Sequence, residues 1–311
     1  MIRVLCATDG SEASLRAIST GLALLDLDRS RVVLVTAVPE PDPTLVTGAG
    51  FAGRVLTEEE YAEDVRASRV AGADLLQTAR EQLGLPSVDT LVLTGPAGPA
   101  LCDAARDSDA GLIVVGTRGR GGVARAVLGS VTDHVVRNAP CPVLTVGPDA
   151  EHDRIGPAVL CTDGSDLALH AGGVSIPLLT AVPVEIATVV APLRLPVPYD
   201  GSGLEHVLTS SEEQRRMQAE RDEGARAALD ATAHALRPVV GGNLKTVALE
   251  GDPGPALCAH ADDVSARVLV AGTRGRGSLR RALLGSVADH LVRNARCPVI
   301  VVGPGSRDHQ D

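Results

Sequence analysis

Three glycines and a serine, Gly116, Gly119, Gly129 and Ser130, return later in the chain as Gly272, Gly275, Gly285 and Ser286. In both copies the spacing is Gly-x2-Gly-x9-Gly-Ser, preceded by an apolar run (LIVV, then VLVA) and followed by a helical pattern. The chemistry this suits is anion binding. Missing side chains let backbone N–H groups approach a phosphate, and a helix N-terminus adds orphan donors and a favourable dipole. A second repeated element, TDGS, occupies 8–11 and 162–165, where the first apolar run of each half gives way to a helical pattern. Ligands of open α/β sheets bind beyond the carboxyl ends of the strands, so both elements are expected to converge there.

Each element alone has an ordinary structural reading. Asp9 and Asp163 could turn the chain into a helix, Gly116 and Gly119 could serve tight turns, and Ser130 could be an N-cap. Their joint recurrence, at fixed spacing after a strand, points instead to a nucleotide site present twice. Other phosphate and catalytic motifs do not fit. A Walker loop needs Gly-Lys-Ser/Thr, and the lone lysine, Lys245, follows Leu244. A loose dinucleotide fingerprint at Gly119-x-Gly121-x-x-Ala124 follows the fourth strand rather than the first and ends in Arg280 in the second copy. Neither serine sits in a G-x-S-x-G elbow, and no Cys and His have metal-ligand spacing. His134 and His290 follow Asp133 and Asp289, but neighbours on a helix do not face each other, so these histidines read as structural or solvated. Among the arginines flanking the glycines, Arg118 and Arg274 lie inside the Gly-x2-Gly loops and are the stronger phosphate donors; Arg120 and Arg276 lie outside.

The elements that must position these groups alternate. Strand patterns at 2–8, 31–38, 88–94, 111–115 and 142–146 are separated by helical patterns at 11–25, 58–83, 97–107 and 130–138, and the second half repeats the order, with its long helix at 211–236. Long loops interrupt each half, at 39–53 and 191–210, and a polar linker spans 148–157. Strands separated by helices imply a parallel sheet with helices on both faces. The last strands, PVLTV and PVIVV, have no following helix, and two such open edges can satisfy each other by antiparallel pairing, making the repeats an internal pseudo-dimer.

Composition narrows the partners. The 311 residues suffice for two domains, assigned to 1–148 and 157–304. Hydrophobic residues make up 44% but aromatic residues only 1%, so the cores must be aliphatic and stacking platforms for single-stranded nucleic acid are missing. A net charge of -10 disfavours a polyanionic partner. No leader peptide is read at the N-terminus, and the longest apolar stretch, 174–193, is broken by Pro177, Pro183, Pro192 and Glu185, so neither export nor a membrane span is expected. The six cysteines pair across the repeats as Cys6 with Cys161, Cys102 with Cys258 and Cys141 with Cys297, and are expected to be reduced and buried in a cytoplasmic setting.

With the glycine loops, TDGS and the CPVLTV and CPVIVV strands together, nearly the whole chain resembles the universal stress protein family, in its tandem, ATP-binding form. The resemblance implies an α/β fold of two Rossmann-like domains, each a five-stranded parallel sheet of order 3-2-1-4-5, with ATP, and Mg2+ as its candidate companion, at the strand ends. It carries adenine and ribose contacts onto Ala7, Thr8, Asp9 and Ala37, and phosphate contacts onto Gly116, Arg118, Gly119, Gly129, Ser130 and Val131. In the second domain the matching positions are Cys161, Thr162, Asp163 and Val189 for the nucleoside. Gly272, Arg274, Gly275, Gly285, Ser286 and Val287 match for the phosphates. CATDGS becomes CTDGS in the second copy, which reads as a residue lost before the aspartate, so the two sites are expected to differ. The implied function is a cytoplasmic ATP-binding stress-response protein, a binder rather than an enzyme, in which occupancy signals or stabilises the pseudo-dimer. Further homodimerisation is open. The alternatives are a slow ATPase or phosphotransfer protein using Ser130 or Ser286, or an interaction module without nucleotide.

Overall fold

A computed structural model describes residues 1–40, 57–119, 128–192, 211–240, 244–273, 275 and 284–306. Most of both long loops, together with Arg120, Arg274 and Arg276, therefore lie outside the described residues. The first half runs β1 (Ile2–Ala7), α1 (Glu12–Leu22), β2 (Ser30–Val38), α2 (Glu58–Gln82), β3 (Asp89–Thr94), α3 (Ala97–Asp107), β4 (Leu112–Gly116), α4 (Ser130–Asn138) and β5 (Val143–Val146). The second repeats it as β6 (Ala158–Cys161), α5 (Asp166–Ser175), β7 (Val184–Val190), α6 (Ser211–Val240), β8 (Leu244–Glu250), α7 (Pro253–Asp263), β9 (Val268–Gly272), α8 (Ser286–Asn294) and β10 (Val299–Val302). Local chemistry sets the helix starts. Ser11 and Ser165 accept hydrogen bonds from the Ser14 and Ala168 amides, and Thr57 forms a reciprocal capping box with Glu60.

The strands form one ten-stranded sheet of order β3-β2-β1-β4-β5-β10-β9-β6-β7-β8. Each half has the expected 3-2-1-4-5 order, but the halves continue one another rather than stacking two separate sheets. The join is the antiparallel pairing of β5 with β10, in register Thr145↔Val299, Leu144↔Ile300 and Val143↔Val301; all other strand pairs are parallel. Thr145 Oγ1 adds a bond to the Val299 carbonyl at 3.0 Å. Both aliphatic edges are thus buried against each other, with Leu144 and Ile300 at 0% exposure.

Helices cover both faces, and each face has its own core running through both halves. One contains Leu101, Val135, Leu257 and Leu291 from α3, α4, α7 and α8; the other contains Ile18, Leu76, Ala171 and Leu236 from α1, α2, α5 and α6. The linker is fastened down rather than free. Arg154, its side chain only 6% exposed, donates to Asp262 at 2.7 Å and to the Ala261 carbonyl at 3.1 Å.

Strand register corrects one expectation. Val4 pairs with Leu112 in the first half as Ala158 pairs with Val268 in the second, so Ala7, not Cys6, is the counterpart of Cys161. No residue is lost before Asp163; the cysteine has moved one place along the strand. Alternate strand residues face opposite sides. Cys6 accordingly belongs to the core under α1, and Cys161 to the opposite core and the end of β6 facing the candidate site.

Candidate functional site

The site begins where β1 ends. The Thr8 amide continues the ladder by donating to the Val35 carbonyl at 2.9 Å, and the Gly10 amide donates back to Thr8 Oγ1 at 2.9 Å. Gly10 and Gly164 take φ of 77° and 74°, the left-handed conformation that makes glycine the natural third residue of TDGS. Asp9 Oδ1 accepts from the Ser11 amide at 3.0 Å and the Ser11 hydroxyl at 2.6 Å, so the aspartate does organise the turn. Its other oxygen does something further: a Cβ on Gly119 would lie 2.5 Å from Asp9 Oδ2, and one on Gly275 would lie 2.6 Å from Asp163 Oδ2. The second glycine of each loop is therefore the space into which the TDGS carboxylate fits.

Gly129 is likewise a matter of room. It precedes α4 with φ -62°, ordinary for any residue, but a Cβ there would lie 3.1 Å from the Thr117 carbonyl. Its own amide is already donated to that carbonyl at 2.9 Å, and Thr132 Oγ1 ties the helix to the Gly116 carbonyl at 2.7 Å. The amides with no acceptor inside the helix are those of the first turn, Ser130, Val131 and Thr132. They open toward a cavity of about 710 Å³, within the roughly 300–1,000 Å³ usual for small-molecule sites. Its wall contains Ala7, Thr8, Asp9 and Ala37 together with Gly116, Arg118, Gly119, Gly129, Ser130 and Val131. All ten sequence-predicted residues of the first domain thus share one cavity.

The second domain has an equivalent cavity of about 430 Å³. Cys161, Thr162, Asp163, Val189, Gly272, Gly275, Gly285, Ser286 and Val287 line it; Arg274 is outside the described residues. Its wall differs in detail. Cys161, Val189 and Pro253 stand where the first domain has Ala7, Ala37 and Ala97, whereas Ala187 and Ala271 replace Val35 and Val115. Burial pushes the Cys161 thiol far above its ordinary value, with Cys297 and Cys258 adding to the effect. His134 and His290 pack over Gly98 and Gly254, where an added Cβ would lie 2.8 Å from the Cβ of each histidine.

The sequence profile of the Universal stress protein family matches this chain twice, over residues 1–147 and 155–303. The chain belongs to that family. A universal stress protein of Mycobacterium tuberculosis is 30% identical over 239 residues, covering 74% of each chain. One from Thermus aquaticus is 37% identical over 143 residues, covering 46% of this chain and 96% of its own. The crystal structure of an Archaeoglobus fulgidus universal stress protein aligns over 97% of this chain and 98% of its own, with TM-score 0.60 at 18% identity, a likeness of fold.

In this universal stress protein the sequence motifs missed part of the first cavity's wall. Ser14, Thr36 and Thr132 are polar groups from elements already named, and Leu101 and Leu128 are apolar closures. Arg293 is different in kind, because it comes from α8 of the second domain. Arg293 pairs with Asp289 at 2.8 Å, as Arg137 pairs with Asp133 at 2.8 Å. The Asp289 hydrogen bond holds the Arg293 guanidinium above its ordinary range, and Asp133, from the other domain, adds to this. Among the described residues, no helix is long and apolar enough to cross a membrane, and no group of three or more His, Cys, Asp or Glu is placed to hold a metal ion.

Proposed function

We propose that this universal stress protein binds ATP at the carboxyl end of its sheet, in two domains spanning 1–148 and 157–304, and acts in the cytoplasm as a nucleotide-dependent stress-response protein. The observation that carries the reading is the convergence of all ten predicted first-domain residues on one cavity of about 710 Å³. In this reading the nucleoside lies against Ala7, Thr8 and Ala37, with Asp9 at the ribose. The phosphates cross Gly116 and Gly119 to reach the amides of Ser130 and Val131 and the guanidinium of Arg118. With Asp9 at the ribose, Asp133 is the cavity-wall carboxylate left to face a Mg2+ carried by the nucleotide. The second domain's cavity, about 430 Å³ against about 710 Å³, takes the same ligand less readily.

Function then follows from occupancy rather than turnover. A ligand that binds only the folded chain stabilises it by RT ln(1 + [L]/Kd), about 2.7 kcal/mol at a hundredfold excess over Kd. Because both cores run through the β5–β10 join, that gain is felt by the pseudo-dimer as a whole. The test is to denature purified protein, identify released nucleotide, and measure the thermal shift on adding ATP. Released adenine nucleotide or a rise in melting temperature supports the reading; neither released nucleotide nor a shift contradicts it.

A further inference from the structure

The first cavity is walled by both domains. Arg293 reaches it from α8, beside Asp133 and near Arg118. A second hollow, about 380 Å³, opens along the domain seam, and Arg118 and Arg293 belong to the walls of both spaces. Its other walls include Asp149 and Glu151 from the linker and Arg296 beyond α8. The linker is held there, since the Glu151 amide donates to the Arg296 carbonyl at 2.9 Å and Arg154 anchors the next turn. Arg293 is held in place by Asp289 while its side chain remains 27% exposed. The arrangement is one-sided: among the described residues, the second domain's cavity has no first-domain residue in its wall.

We propose that the seam hollow is an anion subsite for the distal phosphates of a nucleoside triphosphate bound in the first cavity, with Arg118 from one domain and Arg293 from the other as its cationic walls. The proposal rests on the nucleotide reading above. A guanidinium offers a planar, bidentate match to phosphate oxygens, and one already fixed by a carboxylate loses little freedom on binding. The linker wall of this hollow carries Asp149 and Glu151, which disfavour an anion there, so the phosphates belong against the arginines, to which Arg296 is added. A triphosphate therefore bridges the domains, whereas a monophosphate ends at the α4 amides and does not.

The experiment is calorimetric titration of the full chain with ATP and with AMP, in a Gly275→Val background. That substitution closes the second site, because even a Cβ at Gly275 would lie 2.6 Å from Asp163 Oδ2. Arg293→Ala is expected to weaken ATP about tenfold or more, the loss typical of a charge-assisted hydrogen bond, and AMP by no more than about twofold. Arg293→Lys should restore part of the ATP preference, and Arg106→Ala, an exposed arginine paired with Asp103 outside both spaces, should leave the ATP:AMP ratio unaltered. The ratio separates a phosphate contact from general loosening of the seam. If Arg293→Ala and Arg293→Lys both keep the parent ratio, the subsite is overturned while the nucleotide reading stands. If the parent chain binds neither nucleotide, both fall together.

Discussion

Gly119→Ala isolates the fit between the glycine loop and the TDGS carboxylate. The added Cβ would lie 2.5 Å from Asp9 Oδ2, about 0.9 Å inside the 3.4 Å at which ordinary contact begins. Asp9 is a short side chain whose other oxygen is held by the Ser11 amide at 3.0 Å and hydroxyl at 2.6 Å, so relief requires giving up one or both bonds or moving the loop. Overpacking of this kind costs about 1–3 kcal/mol, and a hydrogen bond to a charged group about 1.5–3 kcal/mol. The site is partly solvated, so we expect the lower part of that range, about 1–2 kcal/mol in denaturant unfolding. ATP affinity should fall by about tenfold or more, because the displaced carboxylate moves into the cavity where the ligand belongs. A double-mutant cycle assigns the cause: Asp9→Ala removes the clashing oxygen, so Gly119→Ala made on that background should cost much less than on the parent chain. If Gly119→Ala retains parental stability and ATP affinity, or if the two substitutions are additive, the carboxylate does not occupy the glycine's space and the reasoning fails.

Ile300→Ala, at the fully buried β5–β10 join, should cost about 2–5 kcal/mol by denaturant unfolding, and a loss below 1 kcal/mol would mean that the join is not a packed core. Glu185 and His260 form a largely buried hydrogen-bonded pair in the second domain, where register and repeat place Val33 and Ala104 in the first. Glu185→Val or His260→Ala alone should destabilise by about 1–3 kcal/mol, while the two together should recover most of the loss, again read by unfolding. Burial pushes the Cys6, Cys141 and Cys297 thiols up to about 12 from an ordinary 9.0. Unfolded chains release these protons near 9.0 and folded ones do not, so their contribution is complete below pH 9 and is lost as pH rises toward 12. A pH series of unfolding curves should therefore fall above pH 9 in the parent chain and fall less steeply in a Cys141→Ala, Cys297→Ala variant.

The parts of this molecule that could be read from sequence are those whose information is local. Strand and helix order follow from short aliphatic runs and helical spacing, and the unhelixed PVLTV and PVIVV ends announced the β5–β10 pairing because an open aliphatic edge needs a partner. The first cavity was legible for the same reason: Gly116, Gly119, Gly129 and TDGS are short motifs at the ends of adjacent strands. What each glycine does was less legible. Gly119 and Gly275 read as openings for an anion, yet a large part of their role is to admit the Asp9 and Asp163 carboxylates. Cys161 was mispaired with Cys6 because matching letters says nothing of strand register, and a one-place shift changes the face. Arg293 could not have been assigned to the first site, since only the join of the two halves brings α8 there. Arg154 and the Glu185–His260 pair depend on contacts between distant segments in the same way.

In the proposed function an adenine nucleotide is held at the carboxyl end of the first domain's sheet. The direct measurement is a titration of isotopically labelled full-length protein with ATP, following backbone amide resonances. Saturable shifts are expected, largest at Asp9, Gly119, Ser130 and Val131, with weaker changes at Asp163, Gly275 and Ser286 that saturate later. Resonances that do not move, or shifts centred away from β1, β4 and the start of α4, would contradict it.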